Sequence, residues 1–304
     1  MDEHVSFPDP RNKNIKIWID GRLYVREEAK ISVFDSLVQG GDGVWEGLRV
    51  YDGRIFALDE HLERLQNSAH AMAFEEVPSN EKIKKALFST LEANGMRDET
   101  HIRLTLSRGE KVTSYMSPEV NQYGPTLIVL AEWKPPIHRG KKGLRLITSS
   151  VRRNTPMCID SKIHHNNLIN NILAKIESNA AGVDGAVMMD IEGYVSEVNA
   201  TNIFFVRNQQ VITPFADSCL PGITRQIVID ICRGNGIPVF EKRISMAEMY
   251  AADECFTTGT MGELVHAVEI DGRIIGSGEK GPLTERLQEL HHELTQEMGE
   301  LLPF

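Results

Sequence analysis

Apolar, β-prone residues flank a polar centre in three short segments of the chain, 17–24, 50–56 and 268–275, and each centre carries an Asp-Gly pair. Both central residues of a tight hairpin turn adopt positive φ angles, which Asp and Gly tolerate better than most residues. The pattern therefore predicts three β-hairpins.

Other segments repeat apolar residues at the spacing of a helix. Such a stripe predicts a helix over 61–74, and the capping residues Ser79 and Gly95 bound a second predicted helix over 79–94. Further helices are predicted at 166–181, 224–234 and 285–301. The strands predicted around these helices are 102–107, 126–131, 144–149, 186–190, 202–206, 211–213, 239–241 and 255–258.

The composition changes at one place between these elements. Residues 134–143 are rich in Pro, Gly and basic residues and show no apolar periodicity, which is typical of a linker. We therefore predict a mixed α/β (α+β) chain with a small N-terminal domain (1–133), an interdomain linker (134–143) and a large C-terminal domain (144–304).

The 304 residues include 33 Lys and Arg against 43 Asp and Glu, so the formal net charge is −10. This acidic balance argues against DNA, RNA or an anionic membrane as a partner. No apolar run reaches the roughly 18 residues of a membrane helix, and the first residues lack the pattern of a signal peptide. The four cysteines occur singly, without disulfide or metal-ligand spacing. We therefore expect a cytoplasmic protein without a metal site.

Two residues of the C-terminal half could carry chemistry. Lys162 stands just before an amphipathic helix, and a lysine with a desolvated amine can form a Schiff base with a carbonyl compound. Most lysines, however, are simply solvated. Glu197 stands between a turn and an apolar strand, where a carboxylate needs a positive partner. A protonated pyridine nitrogen would meet that need, and so would an arginine.

Two loops of the C-terminal half suit a phosphate group. Pro221 and Gly222 precede a predicted helix, so that the backbone N–H groups of Ile223 and Thr224 lack helical acceptors. The second loop, 257–262, is rich in Thr and Gly. Neither has the spacing of a Walker loop, and each could be an ordinary connection.

Six motifs in one order make the chain resemble the class IV aminotransferases, the family of branched-chain and D-amino-acid transaminases. Together they extend over roughly residues 15 to 280. The N-terminal half contains GDGVWEGLR at 41–49 and HLERLQNSA at 61–69. The C-terminal half contains the Lys162 segment, EVNATNIF at 197–204, LPGITR at 220–225 and FTTGTMGE at 256–263.

The resemblance implies a two-domain D-amino-acid aminotransferase-like fold and pyridoxal 5′-phosphate as the cofactor. Lys162 would hold the cofactor and move a proton between the substrate Cα and the cofactor. Glu197 would keep the pyridine nitrogen protonated, with Arg153 in support. The groups implied for the phosphate are Arg64, the backbone N–H groups of Ile223 and Thr224, and Thr260.

The resemblance also implies a transaminase that acts between an amino acid, of the branched-chain or another hydrophobic kind, and a 2-oxo acid such as 2-oxoglutarate. The family builds its sites at a dimer interface, so a homodimer or a larger assembly is expected. The residues predicted to bind the substrate are Trp45, Arg103, Arg108, Trp133 and Met261.

Some positions depart from the branched-chain pattern. Asn167 stands where those enzymes carry an aromatic residue, and His101-Ile102-Arg103 stands where they carry Tyr-x-Arg. Ser107-Arg108-Gly109 is closer to the T-R-G of D-amino-acid and amine transaminases. A D-amino-acid or (R)-amine transaminase therefore stays open as an alternative. An aminodeoxychorismate lyase-like enzyme and an inactive binding protein are further alternatives.

Overall fold

A computed structural model gives the structure of residues 9–136 and 142–304. The contacts between these residues divide them into two units. Unit 1 contains 9–136, 164–167 and 295–304, whereas unit 2 contains 142–163 and 168–294. Two segments lie outside the described residues. One is residues 1–8, part of the N-terminus in which no signal-peptide pattern was found, and the other is residues 137–141 of the predicted linker.

The described part of unit 1 contains one antiparallel sheet of seven strands. Their order across the sheet is β16-β4-β3-β5-β6-β1-β2. In chain order these strands are β1 (Lys16–Ile19), β2 (Arg22–Val25), β3 (Gly43–Tyr51), β4 (Arg54–Ile55), β5 (Thr100–Ser107), β6 (Thr126–Trp133) and β16 (Glu300–Leu301).

The helices of unit 1 are α1 (Ser36–Gly40), α2 (Leu58–Ala71) and α3 (Asn80–Asn94), and the two longer ones pack on the sheet. Helix α2 packs on β3, and α3 packs on β1 and β6. The apolar side chains between them, such as Leu48, Leu62, Leu87 and Leu104, are fully buried. Every second residue of β3 and β5 points to the opposite face, and that face includes Trp45.

The described part of unit 2 contains a mixed sheet with the order β12-β11-β10-β13-β14-β7-β8-β9, and β15 pairs with β14. The strands are β7 (Leu144–Thr148), β8 (Gly185–Met189), β9 (Val195–Val198), β10 (Asn202–Arg207), β11 (Gln210–Thr213), β12 (Val239–Glu241), β13 (Glu254–Gly259), β14 (Glu263–Ile270) and β15 (Arg273–Ile274). The helices are α4 (Ile169–Ala180), α5 (Ile223–Gly234), α6 (Met246–Tyr250) and α7 (Pro282–Glu297), whose last residues belong to unit 1. Within the described residues, no helix has the length and apolar character to cross a membrane.

All three predicted hairpins are confirmed. They are β1–β2, β3–β4 and β14–β15, and both residues of each Asp-Gly turn have positive φ angles, for example +44° at Asp20 and +92° at Gly21. The helix over 79–94 is confirmed as well. Ser79 accepts a hydrogen bond from Lys82 N, and Gly95 ends the helix with φ +65°.

Two predicted boundaries are wrong because segments join the sheet of unit 1 instead. The helix predicted over 285–301 ends at Glu297; Gly299 turns the chain with φ +116°, and β16 then pairs with β4. The helix predicted from residue 166 begins at Ile169, because residues 164–166 lie along β3. Residues 164–167 and 295–304 are accordingly grouped with unit 1.

Candidate active site

The carboxylate of Glu197 lies inside unit 2. It stands on β9, whose four residues are all buried, and its side chain is only 5% exposed. Arg153 Nε donates to Oε1 at 2.6 Å, and Asn202 Nδ2 donates to Oε2 at 3.2 Å. Burial raises the pKa of the Glu197 carboxyl, and the Arg153 guanidinium opposes this shift. An arginine is thus one partner of Glu197, and a protonated ring nitrogen would further favour its ionised form.

Asn202 links this carboxylate to the start of α5. Its Nδ2 also donates to the carbonyl of Leu220 at 2.9 Å. Gly222 precedes α5 without a side-chain cap, and a Cβ at that position would lie 2.0 Å from Asn202 Oδ1. The helix therefore begins at Ile223 and Thr224 with N–H groups that no capping side chain accepts from, an arrangement that favours a phosphate group.

The threonine-rich turn lies at the end of β13. Thr258 is paired with Asn202 across β10 and β13, and its Oγ1 is buried without a hydrogen-bond partner among the described residues. Thr260 and Met261 follow in the half-buried turn that leads to β14. Since buried hydroxyl groups are almost always paired, the end of β13 has an unsatisfied polar group two residues before the predicted phosphate ligand Thr260.

Lys162 is exposed in unit 2. Its backbone N–H donates to Asp160 Oδ1 at 3.0 Å, and Ser161 Oγ donates to the carbonyl of Asn154 at 2.8 Å. These two bonds fix the backbone beside the lysine, while the exposed amine remains accessible to a carbonyl compound.

The donor groups of unit 2 fit pyridoxal 5′-phosphate. That cofactor carries a carbonyl carbon, a basic ring nitrogen and a phosphate. Unit 2 contains an accessible amine at Lys162, a buried carboxylate at Glu197 and a helix start without a side-chain cap at Ile223. Each part of the cofactor therefore has a matching group in this unit.

Arg64, which was predicted to hold the phosphate, takes part in a buried cluster within unit 1. Its Nε and Nη2 donate to the two oxygens of Glu46 at 2.8 and 2.6 Å. His61 Nδ1 lies 2.6 Å from Glu46 Oε2, and His164 Nδ1 lies 3.1 Å from Oε1. The Glu46 side chain is fully buried, so these groups replace the water that it loses.

The cluster keeps Glu46 ionised. Burial by itself raises the pKa of the Glu46 carboxyl, but His164 and Arg64 outweigh this effect and hold the pKa well below its ordinary value. Burial also lowers the pKa of His164 to about 4, with Glu46 opposing the shift. At neutral pH the cluster therefore contains a carboxylate, a guanidinium and a neutral His164 imidazole.

The residues predicted to bind the substrate differ in their surroundings within unit 1. The Arg103 guanidinium lies 3.5 Å from the centroid of the Trp45 ring, and it forms no salt bridge with any residue of 9–136 or 142–304. Burial lowers the pKa of Arg103 to about 10. Arg108 instead pairs with Asp42 at 2.7 and 3.1 Å and donates to two backbone carbonyls. Trp133 is half-buried at the end of β6.

Sequence reasoning missed Glu46, Asn202 and His164 as members of these clusters. Glu46 does have a signal, because a carboxylate inside an apolar strand must be paired when it is buried. Asn202 lies within a quoted motif but was given no role. The position of His164 in the sequence does not predict its contacts, because its partners are distant in the chain and come close to it only in the folded sheet.

The sequence matches the family described as amino-transferase class IV over residues 43–270. The chain belongs to the class IV aminotransferase family.

Similar proteins include different members of this class IV family. The branched-chain-amino-acid aminotransferase-like protein 2 of Arabidopsis thaliana is 57% identical over 298 residues, which are 98% of this chain and 53% of that protein. The D-alanine aminotransferase of Bacillus licheniformis is 32% identical, over 90% of this chain and 95% of that enzyme. This class IV chain thus spans about half the length of its Arabidopsis relative.

A crystal structure gives the same fold. The branched-chain aminotransferase from the thermophilic archaeon Thermoproteus uzoniensis, solved with norvaline, matches with a TM-score of 0.84 and 34% identity, over 93% of this chain and 95% of that one. The predicted D-amino-acid aminotransferase-like fold of the class IV family is therefore confirmed.

The Glu46 cluster generates a prediction about stability. Glu46→Gln leaves the Arg64 guanidinium without its carboxylate, so we expect a loss of about 3 kcal/mol in the free energy of unfolding near neutral pH. Because the pKa of Glu46 is lower in the folded chain than its ordinary value of 4.5, its contribution is present above that value and is lost as the pH falls through the folded pKa.

Urea unfolding near neutral pH and at about pH 3 measures this effect, and the difference between the variant and the wild type should shrink at the lower pH. Glu63→Gln, on the exposed side of α2, is the matched control. An equal effect of the two substitutions would contradict the role of Glu46.

Proposed function

We propose that this chain is a pyridoxal 5′-phosphate-dependent transaminase. It moves an amino group between a branched-chain or other hydrophobic amino acid and a 2-oxo acid such as 2-oxoglutarate. The observation that carries the proposal is the link from the buried Glu197 carboxylate, through Asn202, to the uncapped start of α5. The ring nitrogen and the phosphate of the cofactor are a fixed distance apart. A protein that binds both therefore needs a carboxylate and a helix start that are held together.

The cofactor of class IV aminotransferases is pyridoxal 5′-phosphate, and its bound ring withdraws electrons from the bond that is broken at the substrate Cα. In our proposal, Ile223, Thr224 and Thr260 hold the phosphate, while a role of Arg64 in phosphate binding stays a prediction. Arg153 orients Glu197 through its bond of 2.6 Å.

The amine of Lys162 has two tasks in this proposal. It would hold the cofactor, and it would carry a proton between the substrate Cα and the cofactor. The Glu197 carboxylate would hold a proton on the ring nitrogen.

Arg103 is the residue that we propose for the substrate carboxylate. Its guanidinium is largely withdrawn from water and has no carboxylate partner among the described residues, so an anionic ligand would satisfy it. Arg108 is already paired with Asp42, and a role for it in substrate binding stays a prediction. The same holds for Trp133 and Met261, whereas Trp45 is proposed to contact the substrate because it lies against Arg103.

A D-amino-acid transaminase is the second candidate. The observation that favours it is the D-alanine aminotransferase among the relatives, which this chain matches over nearly its whole length. The paired state of Arg108 disfavours it, since that arginine was the residue resembling the D-amino-acid pattern.

We also propose that the chain forms a homodimer in the cytoplasm. Helix α4 exposes an apolar stripe, and Ile172 and Ile176 are 50% and 55% exposed within it. A second copy would remove this stripe from water. All four cysteines are free thiols, which fits a reducing compartment.

The role of Lys162 predicts the outcome of its removal. Lys162→Ala should lower transaminase activity at least about a thousandfold, because the proton at Cα then has no carrier. Borohydride treatment of the wild type should attach a phosphopyridoxyl group to the peptide that contains Lys162, as detected by mass spectrometry. Lys85→Ala, on the exposed face of α3, is the control. Full activity of Lys162→Ala would exclude the proposed function.

The substrate class is tested with a panel of donors. L-leucine, D-alanine and (R)-1-phenylethylamine are each supplied with 2-oxoglutarate or pyruvate, and the products are measured by chromatography. We expect L-leucine with 2-oxoglutarate to be the preferred pair. Activity on D-alanine without activity on L-leucine would reverse the order of the two candidates.

The apolar stripe on α4 predicts that charges placed there separate the subunits. Ile172→Glu with Ile176→Glu should yield monomers in light scattering, because a desolvated carboxylate opposes association. Ile191→Glu, an equally exposed isoleucine in the turn between β8 and β9, should leave the dimer intact. A wild-type monomer with full activity would refute the assembly.

A further inference from the structure

The segment that follows Lys162 runs along one edge of β3 in unit 1 and forms an isolated β-bridge with it. Trp45 N donates to the carbonyl of His164 at 3.0 Å, and Asn166 N donates to the carbonyl of Gly43 at 2.8 Å. Strand β5 occupies the other edge of β3, where it pairs with the same residues. The three residues 164–166, here called the clamp segment, therefore approach β3 from the side opposite to β5.

The Trp45 indole is held between this clamp segment and Arg103. The His164 ring lies 4.2 Å from the indole at an interplanar angle of 39°, and the Arg103 guanidinium lies 3.5 Å from the centroid of the indole. Trp45 Nε1 donates to the carbonyl of His165 at 3.2 Å. Because β5 and the clamp segment flank β3 on opposite edges, Arg103 and His164 reach the indole from opposite sides.

The clamp segment also contacts Arg103 directly. The neighbours of the Asn166 amide assign its oxygen to the Arg103 side, where it accepts from Nη2 at 3.3 Å. Arg103 has no carboxylate partner among the described residues, so its position depends on the indole and on this amide. A change in the clamp segment would therefore move the guanidinium.

His164 is itself fixed on two sides. Its backbone N–H donates to Ser68 Oγ at 3.1 Å, and its Nδ1 lies 3.1 Å from Glu46 Oε1. An ionised carboxylate only accepts hydrogen bonds, so Nδ1 carries the proton of the imidazole. The ring is neutral at neutral pH because burial lowers its pKa to about 4, and it can pack against the indole without repelling Arg103.

We propose that His164 is a positioning residue for substrate recognition: by packing its tilted ring against Trp45 it holds the indole, and through the indole the Arg103 guanidinium, in place for the substrate carboxylate. This inference rests on the proposed function, since it takes Arg103 as the residue that binds that carboxylate. It assigns to the clamp segment a role in affinity for the substrate, apart from the chemistry of Lys162.

The experiment compares His164→Ala and His164→Phe in the full-length protein loaded with pyridoxal 5′-phosphate. His164→Ala should raise KM for the amino donor about tenfold with little change in kcat, since it disturbs binding rather than proton transfer. His164→Phe keeps an aromatic ring against the indole and should restore KM to within about threefold of the wild-type value. His70→Ala, at an exposed position of α2, is the control.

A spectroscopic readout separates positioning from activity. The protein contains three tryptophans, and labelling with fluorotryptophan gives fluorine NMR signals, of which Trp45 is assigned by Trp45→Phe. The Trp45 signal should shift or broaden in His164→Ala and return towards its original position in His164→Phe. The signals of Trp18 and Trp133 report whether each variant keeps its fold.

An unchanged KM in His164→Ala, or a Trp45 signal that does not move, overturns the proposal, and so does a raised KM that His164→Phe does not restore. If the wild type transaminates no donor, the proposed function fails, and titration with 4-methylvaleric acid replaces KM by a dissociation constant. The same pattern across the variants then supports the positioning role, and its absence refutes it.

Discussion

A carboxylate that is taken out of water must meet cations and hydrogen-bond donors, because its burial otherwise costs several kcal/mol. This constraint organises both units. In unit 1, Arg64, His61 and His164 contact the two oxygens of Glu46. In unit 2, Arg153 and Asn202 donate hydrogen bonds to Glu197. Several of the residues proposed to bind the cofactor therefore have their positions set by these two carboxylates.

The pairing of the arginines separates structural from ligand-binding roles. Arg108 and Arg225 have carboxylate partners in Asp42 and Glu241, and each also donates to a backbone carbonyl. Arg103 is comparably shielded from water, but it has an aromatic ring where the others have a carboxylate. A guanidinium without a carboxylate partner gains most from a carboxylate of a bound ligand. We therefore propose that Arg103 binds the substrate carboxylate. Arg64 and Arg153 are intermediate cases, since they are paired with Glu46 and Glu197 and are still assigned a role at the cofactor.

Much of the fold was predictable because its signals are local. The Asp-Gly pairs defined the hairpins, and Ser79 and Gly95 defined the ends of α3. Two predicted helix boundaries were wrong because the segments there pair with a strand of the sheet in unit 1. Residues 164–166 belong to a polar segment that precedes a helix in the sequence, but they pair with β3. Residues 300–301 extend the apolar stripe of the preceding helix, but they pair with β4. A free edge provides backbone partners that helical periodicity does not reveal.

The sequence by itself determined the family, the hairpin turns and the helix caps, and it singled out Lys162 and Glu197 as candidate site residues. Each of these signals is a short motif, turn or cap, and it depends on residues that lie close together in the chain. Only the tertiary structure decided which partner each charge takes. Glu46 and His164 are separated by 118 positions, and Arg153 and Glu197 by 44. Such pairs form when strands and helices bring distant residues out of water together, and the free energy of that step depends on burial, which spacing in the sequence does not encode.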